Sequence, residues 1–359
     1  MADDAERLID FISSVSGDAY LKVEETLGDG YVRLKVSEAE RRQAKHDIRT
    51  FEDVVVELLR NSRDAHAQRI FVATSREGDL RTMTVIDDGI GVPPQLHDTI
   101  FEPRVTSKLE TMVMDRWGVH GRGMALFSVR SNMKTARITC SDLHKGMAIQ
   151  VVADVASSIP ERADQSTWPV VERESDGRLR VVRGPHNNVR RVLEFACEHP
   201  EIDIYLGSPT EILATLHWAA RDFLTSDLMF CEDRTRMLVW HRPAIGADAA
   251  ELVEIAGELG LAISERTAHR VLAGDLAPLD AAISQAFVED EPAPAPTPDI
   301  YRDRRSLHIH HSDLSSFRRE LEKAFDVLSE RYYLNLKGEP KVTVGPNEIR
   351  VRFSVEKED

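Results

Sequence analysis

Between Glu57 and Ala65 the chain reads Glu57-Leu-Leu-Arg-Asn61-Ser-Arg-Asp64-Ala65, a helical stretch with two unlike sides. At about 100° per residue, Asn61 lies roughly 40° and Asp64 roughly 20° from Glu57 around the axis, so an acid, an amide and a second acid point together. Val54, Val55, Leu58 and Leu59 fall on a separate arc, which lets the helix bury one side while holding the other against a ligand. A solvated polar stripe on a surface helix would have the same spacing. The face becomes informative through the two segments that lie C-terminal to it.

Both segments are glycine-bearing turns, and they come in a set order. Thr82-Met-Thr-Val-Ile86 alternates as a strand, paired with Arg69 to Ala73, and delivers Asp87-Asp-Gly89-Ile-Gly91 to a loop. A carboxylate at a strand end suits recognition of an amino group on a base, and the glycines let the backbone approach a ligand. Alone, Asp-x-Gly-x-Gly is also an ordinary turn. Ile100 to Trp117 then lacks any clean period and reads as a long loop of the kind that serves as a lid, with Thr106, Ser107 and Lys108 available to a phosphate. Gly118-Val119-His120-Gly121-Arg122-Gly123 opens a helix from Met124 to Arg130, whose N-terminal amides and dipole favour an anion.

Composition narrows the class. With 359 residues, 42% apolar and 30% charged, the chain is a globular protein of two to three domains with ample core. No stretch approaches an 18-residue apolar run and the N-terminus is acidic, so neither a membrane span nor a secretory signal is expected and the compartment reads as cytoplasmic. Cys140, Cys197 and Cys231 are odd in number and far apart, which points away from a disulfide framework or a structural zinc site. A net charge of −15 opposes non-specific nucleic-acid binding by the whole chain but leaves a local basic surface open.

Taken together, the three signals resemble the GHKL ATPases, the superfamily of type II topoisomerase ATPase subunits, MutL, heat-shock chaperones and sensor kinases. Glu57-x-x-x-Asn61-x-x-Asp64-Ala65 is similar to their N box, Asp87-x-Gly89-x-Gly91 to their first glycine box, and Gly118-x-His120-Gly121-x-Gly123 to their second, in its topoisomerase form. The resemblance implies an α+β chain that begins with a Bergerat ATP-binding α/β sandwich. It also implies ATP and Mg²⁺: Glu57 would polarise the attacking water, Asn61 would hold the metal, Asp87 would bind the adenine amino group, and Asp64 would support the metal or base region. Gly89, Gly91, Thr106, Ser107, Lys108, Gly118, Val119, His120, Gly121, Arg122, Gly123 and Met124 would line the nucleotide. The chemistry is consistent with that set, because γ-phosphate hydrolysis needs a positioned water, a divalent ion and donors for the transferring group. His46-Asp-Ile-Arg-Thr50 has the look of a phospho-acceptor box but lies too close to Glu57 for the helical hairpin a sensor kinase would need.

The expected organisation is an ATPase domain over 1–222, a helical, helix-turn-helix-like domain over 223–288, a Pro/Ala-rich linker over 289–299 and a small α+β tail over 300–359. Residues 3–16 read as an amphipathic helix and Leu21 to Val36 as two strands around Gly28-Asp-Gly30. Trp168 to Arg191 reads as a charged, poorly periodic insertion with six arginines from Arg173 to Arg191, a solvated surface or a DNA-facing one. Glu251 to Gly260 and Ser264 to Leu272 make two helices about a tight corner, with Ser264 as cap. Arg266, His269 and Arg270 could reach a groove, against the opposing charge of Glu251, Glu254, Glu258 and Glu265. His308, His310 and His311 lack companions for a metal site.

The helix pair resembles the insert of topoisomerase VI B subunits, whereas the tail is much smaller than their transducer domain, and Lys337 is the nominee for a switch lysine. Two functions emerge as expectations. One is an ATP-operated dimer clamp of the topoisomerase VI B kind, acting on duplex DNA with a separate DNA-cleaving A-type subunit. The other is a nucleotide-switched interaction ATPase of MutL-like, chaperone-like or defence type. No membrane partner is expected.

Overall fold

Two consecutive stretches, Arg69–Glu77 (β3) and Leu80–Asp87 (β4), are buried on both faces over their site-proximal halves, and such strands need cover on both sides. The computed structural model describes residues 23–107, 113–115, 118–120, 123–224, 233–287, 311–332, 334–344 and 348–357. In it, β3 and β4 form a hairpin that continues antiparallel into Met147–Asp154 (β9) and Thr135–Ser141 (β8). Asp203–Gly207 (β12) adds parallel to β3 at the other edge, giving the order β12-β3-β4-β9-β8.

Alternation along these strands sorts the side chains into two cores. Ile70, Val72, Met83, Val85, Ile149 and Val151 meet Phe51–Asp64 (α2) and Asn188–Glu198 (α4) on one face. Phe71, Ala73, Ile86, Cys140 and Ala148 meet Pro209–Ala219 (α5), Ala249–Glu258 (α6) and Glu265–Leu272 (α7) on the other. Because successive side chains point to opposite faces, Asp87 falls on the same side as Met83 and Val85, which is the α2 side. Strand period thus decides where the carboxylate goes.

Residues 233–287, expected as a helical domain separate from 1–222, lie within one compact unit spanning residues 1–288. The reason is apolar burial. Leu252, Ile255, Ala256, Ala268 and Val271 are fully buried in the core of the outer sheet face, each large aliphatic side chain contributing about 1.5–3 kcal/mol. Trp240, in the 3-10 helix Val239–Ile245, is 2% exposed and stacks on Phe71 with ring centroids 6.1 Å apart. The corner between α6 and α7 is tied to the sheet by hydrogen bonds: the Gly260 carbonyl accepts from Thr84 Oγ1 at 2.9 Å and from Gln150 Nε2 at 2.8 Å. Ser264 caps α7, accepting from the Thr267 N–H at 3.2 Å.

Smaller elements frame the α2 side. Val23–Gly28 (β1) and Tyr31–Leu34 (β2) form a hairpin whose second strand pairs with Val105–Thr106 (β5). Glu38–Asp47 (α1), a helix absent from the sequence expectation, starts at a capping box in which Ser37 Oγ accepts from the Glu40 N–H and Glu40 Oε2 accepts from the Ser37 N–H at 2.9 Å. Ala125–Asn132 (α3) comes after the glycine-rich turn, and Ala282–Ala286 (α8) returns to the first core. The insertion expected to be aperiodic is a hairpin of Val170–Arg173 (β10) and Leu179–Arg183 (β11).

A second unit spans residues 289–359. It holds the helix His311–Tyr332 (α9) and two antiparallel pairs, Leu334–Leu336 (β13) with Val355–Lys357 (β16) and Lys341–Val344 (β14) with Ile349–Arg352 (β15). Phe325 stacks on Phe353 at 5.2 Å between centroids. The helix expected over 3–16 lies outside the described residues.

Candidate functional site

The end of β4 meets the end of α2. Asp87 is fully buried, and both its carboxylate oxygens are held: Oδ2 accepts from Ser62 Oγ at 2.8 Å and Oδ1 from the Gly89 N–H at 3.0 Å. Asp88 does other work. Its Oδ1 accepts the Gln68 and Arg69 N–H groups at 2.7 and 2.8 Å, closing the turn from α2 into β3. Of the two adjacent acids, Asp87 faces the site.

Close approach explains the glycines. A Cβ on Gly89 would come within 2.7 Å of the Ala65 carbonyl oxygen, and Ile90 N–H donates to that same oxygen at 2.9 Å. Gly91 has φ +69°, and a Cβ there would lie 2.1 Å from the Asp142 carbonyl oxygen. The first glycine turn is therefore packed against the C-terminus of α2 on one side and against the β8–β9 turn on the other.

These elements enclose a cavity of about 880 Å³ of empty space, open mouth included. Glu57, Asn61, Asp64, Asp87, Gly91, Thr106, Ser107 and Gly123 line it, which brings together half of the residues expected from sequence. Gly89 and Met124 are not part of the lining. Glu57 is gripped by Arg60, whose Nη1 donates to Oε1 at 2.6 Å, and Asp64 by Arg63, whose Nη2 donates to Oδ1 at 2.8 Å. Asn61 is different: its buried Nδ2 has no hydrogen-bond partner among the described residues. A buried amide with an unmet valence, beside two carboxylates and a cavity, fits an oxygen-rich ligand and a hard cation, to which the amide would turn its oxygen.

The opposite wall comes from β2 and β5. Tyr31 is 8% exposed and reaches the Gly91 carbonyl at 3.5 Å. Burial pushes its phenol above the usual value, opposed by a hydrogen bond with Ser107. Arg104, at φ +61°, donates its N–H to the Gly123 carbonyl at 2.8 Å and its guanidinium to Glu40, closing the base of the segment that carries Lys108. The Glu40 carboxyl lies below its usual range, held there by the Ser37 N–H first and the Arg104 guanidinium as well. Gly118–His120 (β7) pairs with Val113–Asp115 (β6) instead of opening the helix directly. α3 begins at Ala125 after Met124, with no side-chain cap, and Gly123, Ala125 and Leu126 line the cavity. Lys108, Gly121 and Arg122 lie outside the described residues.

Sequence reasoning missed Tyr31, Ser62, Arg60 and the apolar lining of Ile90, Val92, Ile100, Leu126 and Met147. Arg60 and Ser62 sit inside the Glu57–Ala65 stretch: helical spacing puts Ser62 roughly 140° from Glu57, whereas Arg60, three residues on, lies roughly 60° away and pairs with it.

The other nominated surfaces are less concentrated. Arg178, Arg180, Arg190 and Arg191 are paired with Asp176, Glu174 and Glu194 at 2.6–3.1 Å. Arg266, His269 and Arg270 are exposed on α7, and Arg234 bridges Glu254 and Glu258 on α6. Lys337 is exposed in the second unit. His308 and His310 lie outside the described residues, among which no group of three or more His, Cys, Asp or Glu gathers for a metal. No described helix is long and apolar enough to cross a membrane.

Comparison with known proteins agrees with this geometry over the first half of the chain. Residues 46–157 match the family of histidine kinase-, DNA gyrase B- and HSP90-like ATPases. The DNA mismatch repair protein MutL of Staphylococcus aureus, in strains Newman, JH1 and Mu3 alike, is 27% identical over 199 residues, 52% of this chain and 29% of MutL. The match thus spans less than a third of the length of these relatives. The solved structure of full-length ShkA in complex with AMPPNP aligns over 56% of this chain and 46% of its own at 17% identity, with a TM-score of 0.22, too low to bear on the fold. Residues 46–157, with Glu57, Asn61 and Asp64 on α2 and Asp87 at the end of β4, are thus similar to the ATPase domain of the GHKL superfamily.

Proposed function

We propose that this chain binds and hydrolyses ATP with Mg²⁺ and uses the nucleotide to close a dimer around a client, in the manner of a MutL-like switch. The observation that carries the reading is the buried carboxylate of Asp87 at the base of a cavity whose wall bears Glu57, Asn61 and Asp64. Each carboxylate oxygen has room for more than one donor, so Asp87, already oriented by Ser62 and Gly89, accepts the adenine amino group. Asn61 holds the metal, with Asp64 supporting it. Bound Mg²⁺ would neutralise charge on the phosphate oxygens. Glu57, steadied by Arg60, orients water toward the terminal phosphate.

Thr106, Ser107 and the α3 N-terminus beside Gly123 receive the phosphates, together with Lys108, Gly118, Val119, His120, Gly121 and Arg122. Residues 1–222 form the ATPase proper, 223–288 brace its sheet, and 300–359 transmit closure beyond the linker.

The match to MutL over 199 residues supports a switch of this type over strand passage. A topoisomerase VI B-like clamp, working on duplex DNA with a separate A-type cleavage subunit, is the second reading, favoured by the Gly118-x-His120-Gly121-x-Gly123 pattern.

ATP turnover of the native chain and of Glu57→Ala, with and without duplex DNA, tests both, alongside sizing with a non-hydrolysable analogue. Loss of turnover in the variant with retained nucleotide binding and analogue-induced dimerisation is expected. Native-rate turnover in Glu57→Ala would sink the assignment of Glu57. Stimulation by DNA that also requires a cleavage partner would favour the second reading.

A further inference from the structure

A second cavity, of about 740 Å³ of empty space with its mouth, lies at the opposite end of the central sheet from Asp87. Arg81, near the start of β4, lines it, whereas Asp87 ends the same strand, about 20 Å away at roughly 3.3 Å per residue. The walls come from the first turn of α4, the end of β12, the start of α5 and the α8 region.

Its chemistry differs from that of the first cavity. Asn188, which lines it, is 4% exposed, and its buried Oδ1 has no hydrogen-bond partner among the described residues. A buried acceptor left unmet has lost its water without replacement, so an occupant with an N–H to offer is favoured there. Arg81 is 7% exposed and pairs with Glu161, to which Nε donates at 2.7 Å and Nη2 at 3.1 Å and which Arg76 shares, so that Glu161 and Glu211 together balance the two guanidinium groups. Arg81 Nη1 has only a long 3.5 Å contact with Thr74, which leaves a donor for a carbonyl. Glu211, also in the wall, supplies the second negative charge. A phosphate or carboxylate therefore meets no net positive field. Trp168, 37% exposed, offers an aromatic face at the rim, and the Gln285 amide a further polar edge.

We infer that this cavity is a binding site for a small, neutral, planar molecule that presents an N–H beside a C=O, as a nucleobase or a cyclic amide does. The N–H meets Asn188 Oδ1, the carbonyl meets Arg81 Nη1, and the ring lies against Trp168. Gln165 joins this wall to the first site's helix: its Oε1 accepts the Asn188 N–H at 3.1 Å and its Nε2 donates to Glu52 Oε1 on α2 at 2.7 Å. The inference stands apart from the ATPase reading, since none of these residues lines the first cavity.

Uracil is the probe, the simplest ring with that edge, and calorimetry on the full chain with and without saturating ATP is the experiment. Saturable binding with a Kd of about 1 mM or tighter is expected, unchanged by ATP and weakened at least about tenfold in Asn188→Ala. The thermal midpoint of that variant should be equal or higher, because it removes an unmet acceptor, and this reports that it has folded. Trp168→Phe should weaken binding less. Absence of saturable binding to the native chain, equal binding in Asn188→Ala, or displacement of uracil by ATP would each overturn the inference.

Discussion

Ser62 Oγ donates to Asp87 Oδ2 at 2.8 Å between two residues that are both completely buried, joining the last turn of α2 to the end of β4. Replacement by Ala leaves a buried carboxylate short of one donor. Ser62→Ala should lower stability by about 1–3 kcal/mol and weaken nucleotide binding about tenfold, measured by urea denaturation and by fluorescent-nucleotide titration. Full affinity in the variant would show that Gly89 alone orients Asp87.

Asp87 itself should set base choice. Asp87→Asn swaps an acceptor for a donor where an adenine amino group is to be read, so ATP affinity should fall by two orders of magnitude or so and the preference over GTP should narrow. Competition between the two nucleotides for one labelled analogue reads this directly.

The Arg60–Glu57 ion pair, at 2.6 Å with side chains 6% and 20% exposed, separates orientation from binding. Arg60→Leu should lower kcat about tenfold while nucleotide Kd shifts less than about threefold. An equal loss in Kd would make Arg60 a direct ligand contact.

Gly91 and Gly28 both have positive φ, yet only Gly91 has neighbours in the way. Gly91→Ala should cost roughly 3 kcal/mol or more and abolish nucleotide binding, and Gly28→Ala about 1 kcal/mol with binding intact. Chemical denaturation with parallel nucleotide titration distinguishes them.

His217 and His241 are buried, and desolvation holds both imidazoles below the usual value of 6.5, against the pull of the Pro243 carbonyl on His217 and of Asp88 on His241. The unfolded chain then binds protons that the folded one refuses. Stability is complete above 6.5 and falls as pH drops through the folded values, so the denaturation midpoint should decrease between about pH 7.5 and about pH 5.5. His217→Asn should flatten that decline. Midpoints that are flat in the native protein over this window would refute the account.

Sequence alone placed Glu57, Asn61 and Asp64 together because helical spacing is local, and it placed Asp87 at a strand end because alternation is local too. What it could not supply was non-local. Nothing in the spacing distinguishes Ser62 as the residue that meets Asp87, since that contact depends on how α2 crosses β4. Tyr31 enters the wall through pairing of β2 with β5, set by residues far apart in the chain. The helices α6 and α7 were legible as helices, but Leu252 and Val271 did not say which surface would cover them. A turn around Gly260 looks the same whether free or bound to Thr84 and Gln150.

That docked turn bears on how the protein is made. β3, β4, β8 and β9 are complete once residue 154 has emerged, yet the cover for Phe71, Ile86 and Ala148 ends at Val271, about 120 residues and, at typical synthesis rates of about 5–20 residues per second, roughly 6–24 s later. Throughout that interval a half-finished sheet presents an apolar face, which makes the nascent chain a substrate for holding chaperones and makes slow codons after residue 154 a hazard to yield.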